Sequence, residues 1–458
     1  MKTKAFFSNK KHPKQAAEEI IEKVNSALDF DPDLVLFYAT LKYNGHYQEM
    51  LNIFKKRFDG VPQIGASVDG MMFPHDMRTD GAVLVVGEDK DARIEVKSAN
   101  EKGAIKSAEK LAKQIKCEKG VVILHFPLIH VPDLKKSTEF YTKGKYYSYK
   151  ASKGDEETKK KMAKKFSDFC EKSKIFYLPP TILEIFAAQL NYKLPIVGMN
   201  LMHTQVKLNS PSIFSNFKDI EAGIAALTIE KDDVEVIYDD IFPEKGNTIE
   251  ETKEIIKENF KVVKEFDVLF EKNILISLDG KPPVQAVKDV TGTYEKDENE
   301  LMENLDKGKF KVQVPYILMF FNEKLKSMQT LGIDSYFPFD LFPFFFDIDQ
   351  FSKKAFLSHE PIFLKPENYI SGLQKLKMVN HENHVFFCID VGSISAFGDK
   401  VISFKDKVAK IASDNYFGII SESPSIYLPK NMKNKNYMTE SKENIFFTSG
   451  GGNIFMSI

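Results

Sequence analysis

The sequence lacks tryptophan, contains only three cysteines and carries almost no net charge. A formal net charge of −1 gives the molecule no overall attraction to nucleic acid or to an anionic membrane. Three widely spaced cysteines encode neither a disulfide framework nor a zinc site. No apolar run reaches the roughly 18 residues that a membrane span needs, and the start, "MKTKAFFSNKKHPKQ", is too weakly apolar for a signal peptide. We therefore expect a cytoplasmic protein with no metal and no cofactor.

The chain is long and of ordinary globular composition. Its 458 residues are 43% hydrophobic and 28% charged, which is enough material for two or three domains. A polar turn, "PEKGN" at Pro243–Asn247, marks a boundary. We therefore predict two regions, residues 1–247 and 248–458.

Two stretches of sequence repeat one another. The segment "VPQIGASVDG" (residues 61–70) has the same pattern as "KLPIVGMNLMH" (residues 193–203). Gly65 corresponds to Gly198 and Gly81 to Gly223, with nearly equal separations in the chain. The pattern predicts a tandem duplication over residues of about 34–98 and 121–240. A weaker third copy includes "HVFFCID", "SFKDKVAKIA", "YFGIISES" and "NIFFTSG".

Each copy has the pattern of a β-α-β-β module. In the first copy, Leu34–Tyr38 is a continuous apolar run, typical of a strand covered on both faces. The helical pattern of Tyr47–Phe58 leads back to a second strand, Val61–Ser67, and such a crossover makes the two strands parallel. Ala82–Val86 and Arg93–Val96 then flank the polar turn "EDKD" and predict an antiparallel hairpin. The predicted fold is α/β with α+β character, in which repeated modules form mixed sheets covered by helices in a layered sandwich.

The second copy contains a basic insertion. Residues 135–174 contain 13 lysines and only 6 acidic residues, and four tyrosines are interleaved among them. This composition is compatible with a nucleic-acid patch. The simpler interpretation, which we favour, is a loop followed by a solvated helix that turns Met162, Phe166 and Phe169 inward.

Three patterns describe the later half of the chain. Thr248 and Glu251 have capping-box spacing and predict a helix with an apolar side that extends through Val262 to Phe270. The stretch "NILISLDGKPPVQAVKDVTG" predicts a strand, an Asp-Gly turn and a helix that begins with proline. The Phe-rich segment Tyr336–Asp349 is either an irregular part of the core or an exposed patch for a partner.

The order of these motifs resembles the FIST family over nearly the whole chain. "AAEEIIEKV", "DLVLFYAT", "VPQIGASVDG" and "GAVLVV" resemble its N-terminal region, and "LISLDGKPPVQAV", "HVFFCID" and "YFGIISES" resemble its C-terminal region. The resemblance implies binding of a small ligand, with amino acids favoured, coupled to a signalling partner. Two family features are absent, because Val391 stands where an arginine is usual and Ser423-Pro424 stands where Gly-Glu is usual.

The candidate ligand-binding residues lie at the predicted strand ends, where open α/β sheets form their crevices. The glycines permit close approach of a ligand or of a packed helix, and the polar residues either bind a ligand or cap the next turn. Asp69 and Glu422 either meet an ammonium group or, as the simpler interpretation, are solvated acids. Cys388 stands where family members keep a cysteine. The complete predicted set is Gly65, Ser67, Asp69, Gly198, Asn200, Cys388, Gly418, Ser421 and Glu422.

No set of residues specifies a metal or a reaction. His381 and His384 in "NHENH" lack a third nearby ligand. His125 and His130 flank a predicted strand end, as structural residues or as pocket edges. Cys388 falls in an apolar strand, where a thiol is normally inert. We therefore assign no catalytic residue.

Three functions remain open. The first is a stand-alone small-ligand-binding or sensory protein that acts through a signalling partner and contacts neither nucleic acid nor membrane. Without the usual arginine, we expect a neutral or zwitterionic ligand. The second is a protein-interaction scaffold without a working pocket, and the third is an enzyme of unassigned reaction.

Overall fold

The computed structural model describes the chain apart from several segments. These are residues 75, 131–133, 204–210, 241–247, 249, 252–253, 256–261, 293–315, 323–326, 332–338, 345–350, 360–365, 377–383, 391–400, 413–414, 422–423, 431–444 and 449–451. The described strands form four six-stranded sheets. The result is the mixed α/β fold that the sequence predicts.

The first sheet is built around a parallel pair of strands. Its order is β1 (Lys2–Ser8), β6 (Ala82–Glu88), β2 (Leu34–Ala39), β3 (Gln63–Ser67), β10 (Ile213–Ser215) and β11 (Lys218–Asp219). Strands β2 and β3 are parallel, and helix α2 (Tyr47–Phe58) connects them as predicted. All six residues of β2 are buried, which agrees with its continuous apolar run.

The second and third sheets repeat this arrangement. The second has the order β7 (Arg93–Ala99), β12 (Ile224–Glu230), β8 (Val121–Pro127), β9 (Ile196–Leu201), β22 (Ser425–Leu428) and β23 (Ile445–Thr448). The third has the order β13 (Glu235–Asp240), β24 (Gly452–Ser457), β20 (Val385–Asp390), β21 (Tyr416–Ser421), β4 (Gly70–Phe73) and β5 (Asp76–Arg78). In both sheets the central pair is parallel, as β2 and β3 are in the first.

The repeats exchange hairpins in a closed cycle. The β4–β5 hairpin of the first repeat pairs with β21 of the third. The β10–β11 hairpin of the second repeat pairs with β3 of the first, and the β22–β23 hairpin of the third pairs with β9 of the second. The predicted division at residue 247 stays a prediction, although the third sheet takes strands from both sides of it.

The predicted hairpin of residues 82–86 with residues 93–96 is wrong. Strand β6 pairs with β1 and β2 in the first sheet, whereas β7 pairs with β12 in the second. The turn between them carries the chain from one sheet to the next. In the same way "NIFFTSG" supplies β23 to the second sheet, while β24 completes the third repeat. Local patterns of alternation identified these strands but not their partners.

The three sheets face one another across a shared apolar core, and helices cover their outer faces. The shared core includes Leu36, Ile64, Ile123, Val197 and Phe417. Helices α1 (Pro13–Ala27) and α2 pack on the first sheet, and α3 (Ala104–Ala112) and α6 (Pro179–Gln189) pack on the second. In the third repeat, α8 (Val401–Ala412) connects the two parallel strands. Short 3₁₀ segments occupy Leu41–Tyr43 and Pro366–Lys375.

The fourth sheet is inserted into the third repeat, between β13 and β20. Its order is β17 (Ser327–Leu331), β16 (Tyr316–Asn322), β19 (Phe351–His359), β14 (Val262–Glu271), β15 (Ile274–Leu278) and β18 (Phe342–Pro343). The helix predicted through residues 262–270 is wrong, because strand β14 occupies them and pairs with β15 and β19. The predicted strand, Asp-Gly turn and helix are confirmed as β15, Asp279-Gly280 and α7 (Pro283–Thr291).

The basic insertion of the second repeat packs against this fourth sheet. It forms two helices, α4 (Leu134–Ser152) and α5 (Glu156–Lys172), so the loop predicted for its first half is wrong. Phe166 is buried, and Met162 and Phe169 are partly buried against the same core, as predicted. Phe339, Leu341 and Phe344 are also in this core, so the described part of the Phe-rich segment is core.

Candidate functional site at the strand ends

The three repeat glycines occupy equivalent positions. Gly65 pairs with Phe37, Gly198 with Leu124 and Gly418 with Phe387, each across a parallel strand pair. The predicted correspondence of Gly65 with Gly198 is therefore confirmed, and the duplication over residues of about 34–98 and 121–240 stays a prediction.

Gly65 also lies between Phe37 and Phe214, whose rings stack with centroids 5.2 Å apart. This geometry explains Gly65 by close packing, and a ligand-binding role for the glycines stays a prediction.

Each glycine pairs with a residue on the neighbouring parallel strand. The next residue along that neighbouring strand points into the shared core. These residues are Tyr38, His125 and Cys388, one from each sheet. The Tyr38 hydroxyl lies 2.7 Å from His125 Nε2, and the rings of Tyr38 and Phe417 stack at 5.3 Å. Burial raises the pKa of the Cys388 thiol and lowers the pKa of His125 to about 3. The predicted site residue Cys388 is thus in the core, as expected for an inert thiol.

The strand end of the first repeat carries a chain of buried polar side chains. Ser67 Oγ lies 2.8 Å from His203 Nε2, and His203 Nδ1 lies 3.2 Å from Asp69 Oδ1. All three residues are buried. Ser67 ends β3 and Asp69 follows it, whereas His203 comes from the second repeat, just beyond β9. The structure therefore brings two predicted residues together with a histidine that the sequence analysis had not assigned.

The strand end of the second repeat is closed by a different contact. Asn200, the structural equivalent of Ser67, accepts a hydrogen bond from Ser425 Oγ at 2.9 Å. Ser425 belongs to β22 and pairs with Gly198. A Cβ atom on Gly198 would collide with the Ser425 hydroxyl. Here the predicted residues meet a hairpin of the third repeat rather than a histidine.

The strand end of the third repeat has buried polar atoms without partners among the described residues. Ser421 pairs in register with Asp390 on β20, and the N–H of Asp390 donates to Asn453 Oδ1 at 2.9 Å. Within the described residues, Ser421 Oγ and Asn453 Nδ2 are buried and have no hydrogen-bond partner. The predicted site residue Glu422 lies outside the described residues, as do Val391 and Ser423.

The three strand ends are connected but are not one cluster. The N–H of Asp69 donates to the carbonyl of Ile420 at 3.2 Å, which joins the first and third strand ends. Ser67 is on the helix-covered side of its strand, because its neighbours Ala66 and Val68 face the shared core. Ser421 alternates with Ile419 and so faces the core side. The sequence correctly predicted that these residues lie at strand ends. It did not show that Ser67 and Ser421 lie on opposite faces of their sheets.

Three further observations bear on function. The described residues contain no group of three or more His, Cys, Asp or Glu side chains that could hold a metal ion. His384 is buried and bonds Thr3 Oγ1 at 2.8 Å, while His381 lies outside the described residues. None of the helices described is both long enough and apolar enough to span a bilayer.

Comparison with known proteins agrees with the motifs. The family model of the FIST N domain matches residues 33–281, more than half of the chain, and the model of the AF0772-like protein C-terminal domain matches residues 250–363. An uncharacterized protein of Archaeoglobus fulgidus is 28% identical over 300 residues, which cover 63% of this chain and 77% of the relative. The second match coincides with the fourth sheet, and the first includes two of the three repeats. The chain belongs to the FIST family.

Proposed function

We propose that the protein is a small-ligand-binding sensor whose ligand occupies the strand end of the third repeat. The ligand is a neutral or zwitterionic metabolite such as an amino acid. Membership of the FIST family, which is consistent with a sensory role in signal transduction, supports this proposal. The choice of strand end rests on the hydrogen-bonding state of its side chains.

The observation that carries the proposal is that buried Ser421 Oγ, like Asn453 Nδ2, has no hydrogen-bond partner in the part of the chain that the structure describes. A buried polar group without a partner costs about 1–3 kcal/mol, so folded proteins rarely keep one without a reason. At the other two strand ends, Ser67 already contacts His203, and Asn200 already contacts Ser425. Of the three predicted hydroxyl and amide groups, Ser421 is the one without a hydrogen-bond partner among the described residues.

The neighbouring residues define the kind of ligand. Asp390 and Ser421 pair in register at the end of parallel strands, so a carboxylate and a hydroxyl lie on the same face of the third sheet. A carboxylate in a buried position favours a ligand with an ammonium or another hydrogen-bond donor. The Ser421 hydroxyl suits a carbonyl or carboxylate oxygen. An amino acid presents both groups.

The same strand end offers a route for a signal. Ile420 precedes Ser421, and its carbonyl accepts from the N–H of Asp69. Asp69 directly precedes β4, which pairs with β21 in the third sheet. A ligand that shifts Ser421 would therefore act on a segment that belongs to the first repeat, and a partner protein would detect the rearrangement.

A thermal-shift screen of amino acids and neutral metabolites tests the proposal, with Ser421→Ala as the diagnostic variant. Without ligand, Ser421→Ala should be as stable as the wild type or more stable by about 1 kcal/mol, because an unsatisfied hydroxyl is removed. The variant should then lose the ligand-induced shift, which is about 2.7 kcal/mol at a hundredfold excess over Kd.

Ser358→Ala is the matched control, since Ser358 is a fully buried strand serine in the fourth sheet. It should keep the ligand shift. If Ser421→Ala destabilises the free protein and leaves the ligand shift intact, the proposed site is wrong. Tight binding of a protein partner without stabilisation by any small molecule would favour the scaffold.

A further inference from the structure

The side chains of Ser67, His203 and Asp69 form a linear array of hydrogen bonds. The hydroxyl oxygen lies 2.8 Å from Nε2 of the imidazole, and Nδ1 lies 3.2 Å from a carboxylate oxygen. The two imidazole nitrogens therefore contact different partners. The side chain of His203 is fully buried, and only 4% of the Asp69 side chain is exposed. The order of the groups is that of a nucleophile, a general base and an orienting carboxylate.

The hydrogen-bonding capacities of the groups fix the direction of each bond. An ionised carboxylate can only accept, so Asp69 places the imidazole proton on Nδ1. In the neutral imidazole Nε2 is then an acceptor, and the Ser67 hydroxyl donates to it. This arrangement holds a base at the serine proton before any substrate binds.

The backbone adds a donor at the reacting oxygen. The N–H of Ser212 donates to Ser67 Oγ at 2.8 Å, and the N–H of Ser67 donates to the carbonyl of Ser212 at 2.9 Å. A donor at Oγ stabilises the negative charge that develops there when the proton leaves. Ser212 immediately precedes β10, so the second repeat supplies both this donor and the histidine.

The fold itself does not require this array. At the positions equivalent to Ser67 and Asp69, the second repeat has Asn200 and Met202, and the third has Ile420 and Glu422. Asn200 reaches a serine of a neighbouring hairpin rather than a histidine. In the second repeat, the strand end where another repeat's hairpin pairs thus forms without a serine, a histidine and a carboxylate. Packing alone therefore does not account for the array in the first repeat.

We infer that Ser67 is a nucleophile, activated by His203 and oriented through Asp69, that cleaves a small carboxylic ester. Oγ attacks the carbonyl carbon, and its proton moves to Nε2 of His203. The C–O bond to the alcohol breaks, and the same proton passes to the departing oxygen. Water then hydrolyses the acyl-serine, which releases the carboxylic acid and restores the hydroxyl. The activity is distinct from ligand binding at Ser421 and does not depend on it.

Burial limits the substrate. Ser67 is 1% exposed, and the hydroxyl of Tyr47 lies beside it and donates to the carbonyl of Thr40 at 3.1 Å. Burial raises the pKa of Tyr47, so this hydroxyl stays neutral at physiological pH. Small acyl groups such as acetyl are therefore the expected substrates.

Covalent labelling of the full-length protein tests the inference. Methanesulfonyl fluoride, which matches the small acyl groups expected as substrates, should sulfonylate Ser67: the Oγ–S bond forms, the S–F bond breaks, and fluoride leaves with the hydroxyl proton. Peptide mass spectrometry should place the adduct on Ser67. p-Nitrophenyl acetate should release p-nitrophenol with a burst that the sulfonylated protein lacks.

Variants separate nucleophilic activation from structural support. His203→Gln should slow labelling at least about 100-fold, since general-base catalysis contributes about 10²–10⁴-fold. Asp69→Asn should also slow it, and Ser67→Ala should abolish the adduct. Ser425→Ala, a matched change at a buried serine that the third repeat's hairpin places against Asn200, should label at the wild-type rate. No adduct on Ser67 in the folded wild-type protein, or an unchanged labelling rate in His203→Gln, would overturn the inference.

Discussion

The first and second repeats place a glycine at the same register and a hydrogen-bonding residue two positions later, yet they use that residue differently. Ser67 meets a histidine and a carboxylate, whereas Asn200 meets the serine of a neighbouring hairpin. Their glycines also meet different neighbours, a backbone carbonyl at Gly65 and a side-chain hydroxyl at Gly198. The repeated fold therefore fixes where the polar residue stands, and the hairpin or linker of another repeat decides what it contacts.

The largest expected difference between the repeats is at the glycines. A Cβ on Gly65 would collide with the backbone carbonyl of Phe37, which cannot move without breaking the sheet. We expect Gly65→Ala to destabilise the protein by more than about 4 kcal/mol, in the range of severe core defects. Gly198→Ala should cost about 1–2 kcal/mol, because the Ser425 hydroxyl can rotate away and lose only its hydrogen bond. Urea unfolding of both variants measures the difference, and equal losses would contradict this account.

The second expected difference concerns pH, because the core position that holds Tyr38 in the first repeat holds His125 in the second. Burial lowers the pKa of His125 to about 3 and that of His384 to about 4. Below about pH 6.5 the unfolded chain takes up protons at these residues and the folded protein does not. Stability is therefore retained above about pH 6.5 and falls toward pH 4, by about 2 kcal/mol per histidine at pH 5.

Urea unfolding of the wild type and of His125→Gln between pH 5 and pH 8 checks this expectation. The variant should lose about half of the pH dependence that the two histidines cause, whereas a substitution of the exposed His46 should leave it unchanged. A wild-type stability that does not change between pH 7 and pH 5 would rule out neutral buried histidines.

A smaller effect on stability is expected for the hydrogen bond between Tyr38 and His125. Tyr38→Phe removes the partner of His125 Nε2 and leaves a buried nitrogen unsatisfied, at a cost of about 1–3 kcal/mol. His125→Leu combined with Tyr38→Phe should cost less than the sum of the single changes, because no polar group then remains unpaired. Strictly additive losses in the double-mutant cycle would show that the contact contributes no net energy.

Thiol reagents should not modify Cys388 of the third repeat in the native protein. Cys388 is fully buried and burial raises its pKa, and Cys117 and Cys170 are buried as well. We expect no reaction with a thiol reagent in the native protein and three reactive thiols after denaturation. Rapid native labelling that persists after Cys117 and Cys170 are replaced by alanine would place Cys388 in an accessible site instead.

Sequence reasoning identified what is local and missed what depends on distant contacts. The glycine register, the buried strand β2 and the Asp-Gly turn before α7 follow from residue type and periodicity over a few residues. The β6–β7 hairpin was a reasonable inference from alternation across a short polar turn, but the core of each sheet offered better partners to both strands.

The candidate site shows the same limit. Ser67 and Asp69 stood out because they follow a strand, but His203 lies 136 residues from Ser67 in the chain. The histidine closes the second repeat motif in the sequence. Only the exchange of hairpins shows that the end of one repeat reaches the strand end of another.

That exchange has a consequence for the origin and assembly of the chain. The hairpin of each repeat pairs with the sheet of another repeat, so no single repeat contains a complete sheet. Three separate copies of such a module could satisfy one another only as a ring with threefold symmetry. When the copies are joined in one polypeptide, their association is intramolecular. Assembly then no longer depends on protein concentration. Copies within one chain also need not be identical, and here one junction has a serine, a histidine and an aspartate where the second repeat has an asparagine and a serine.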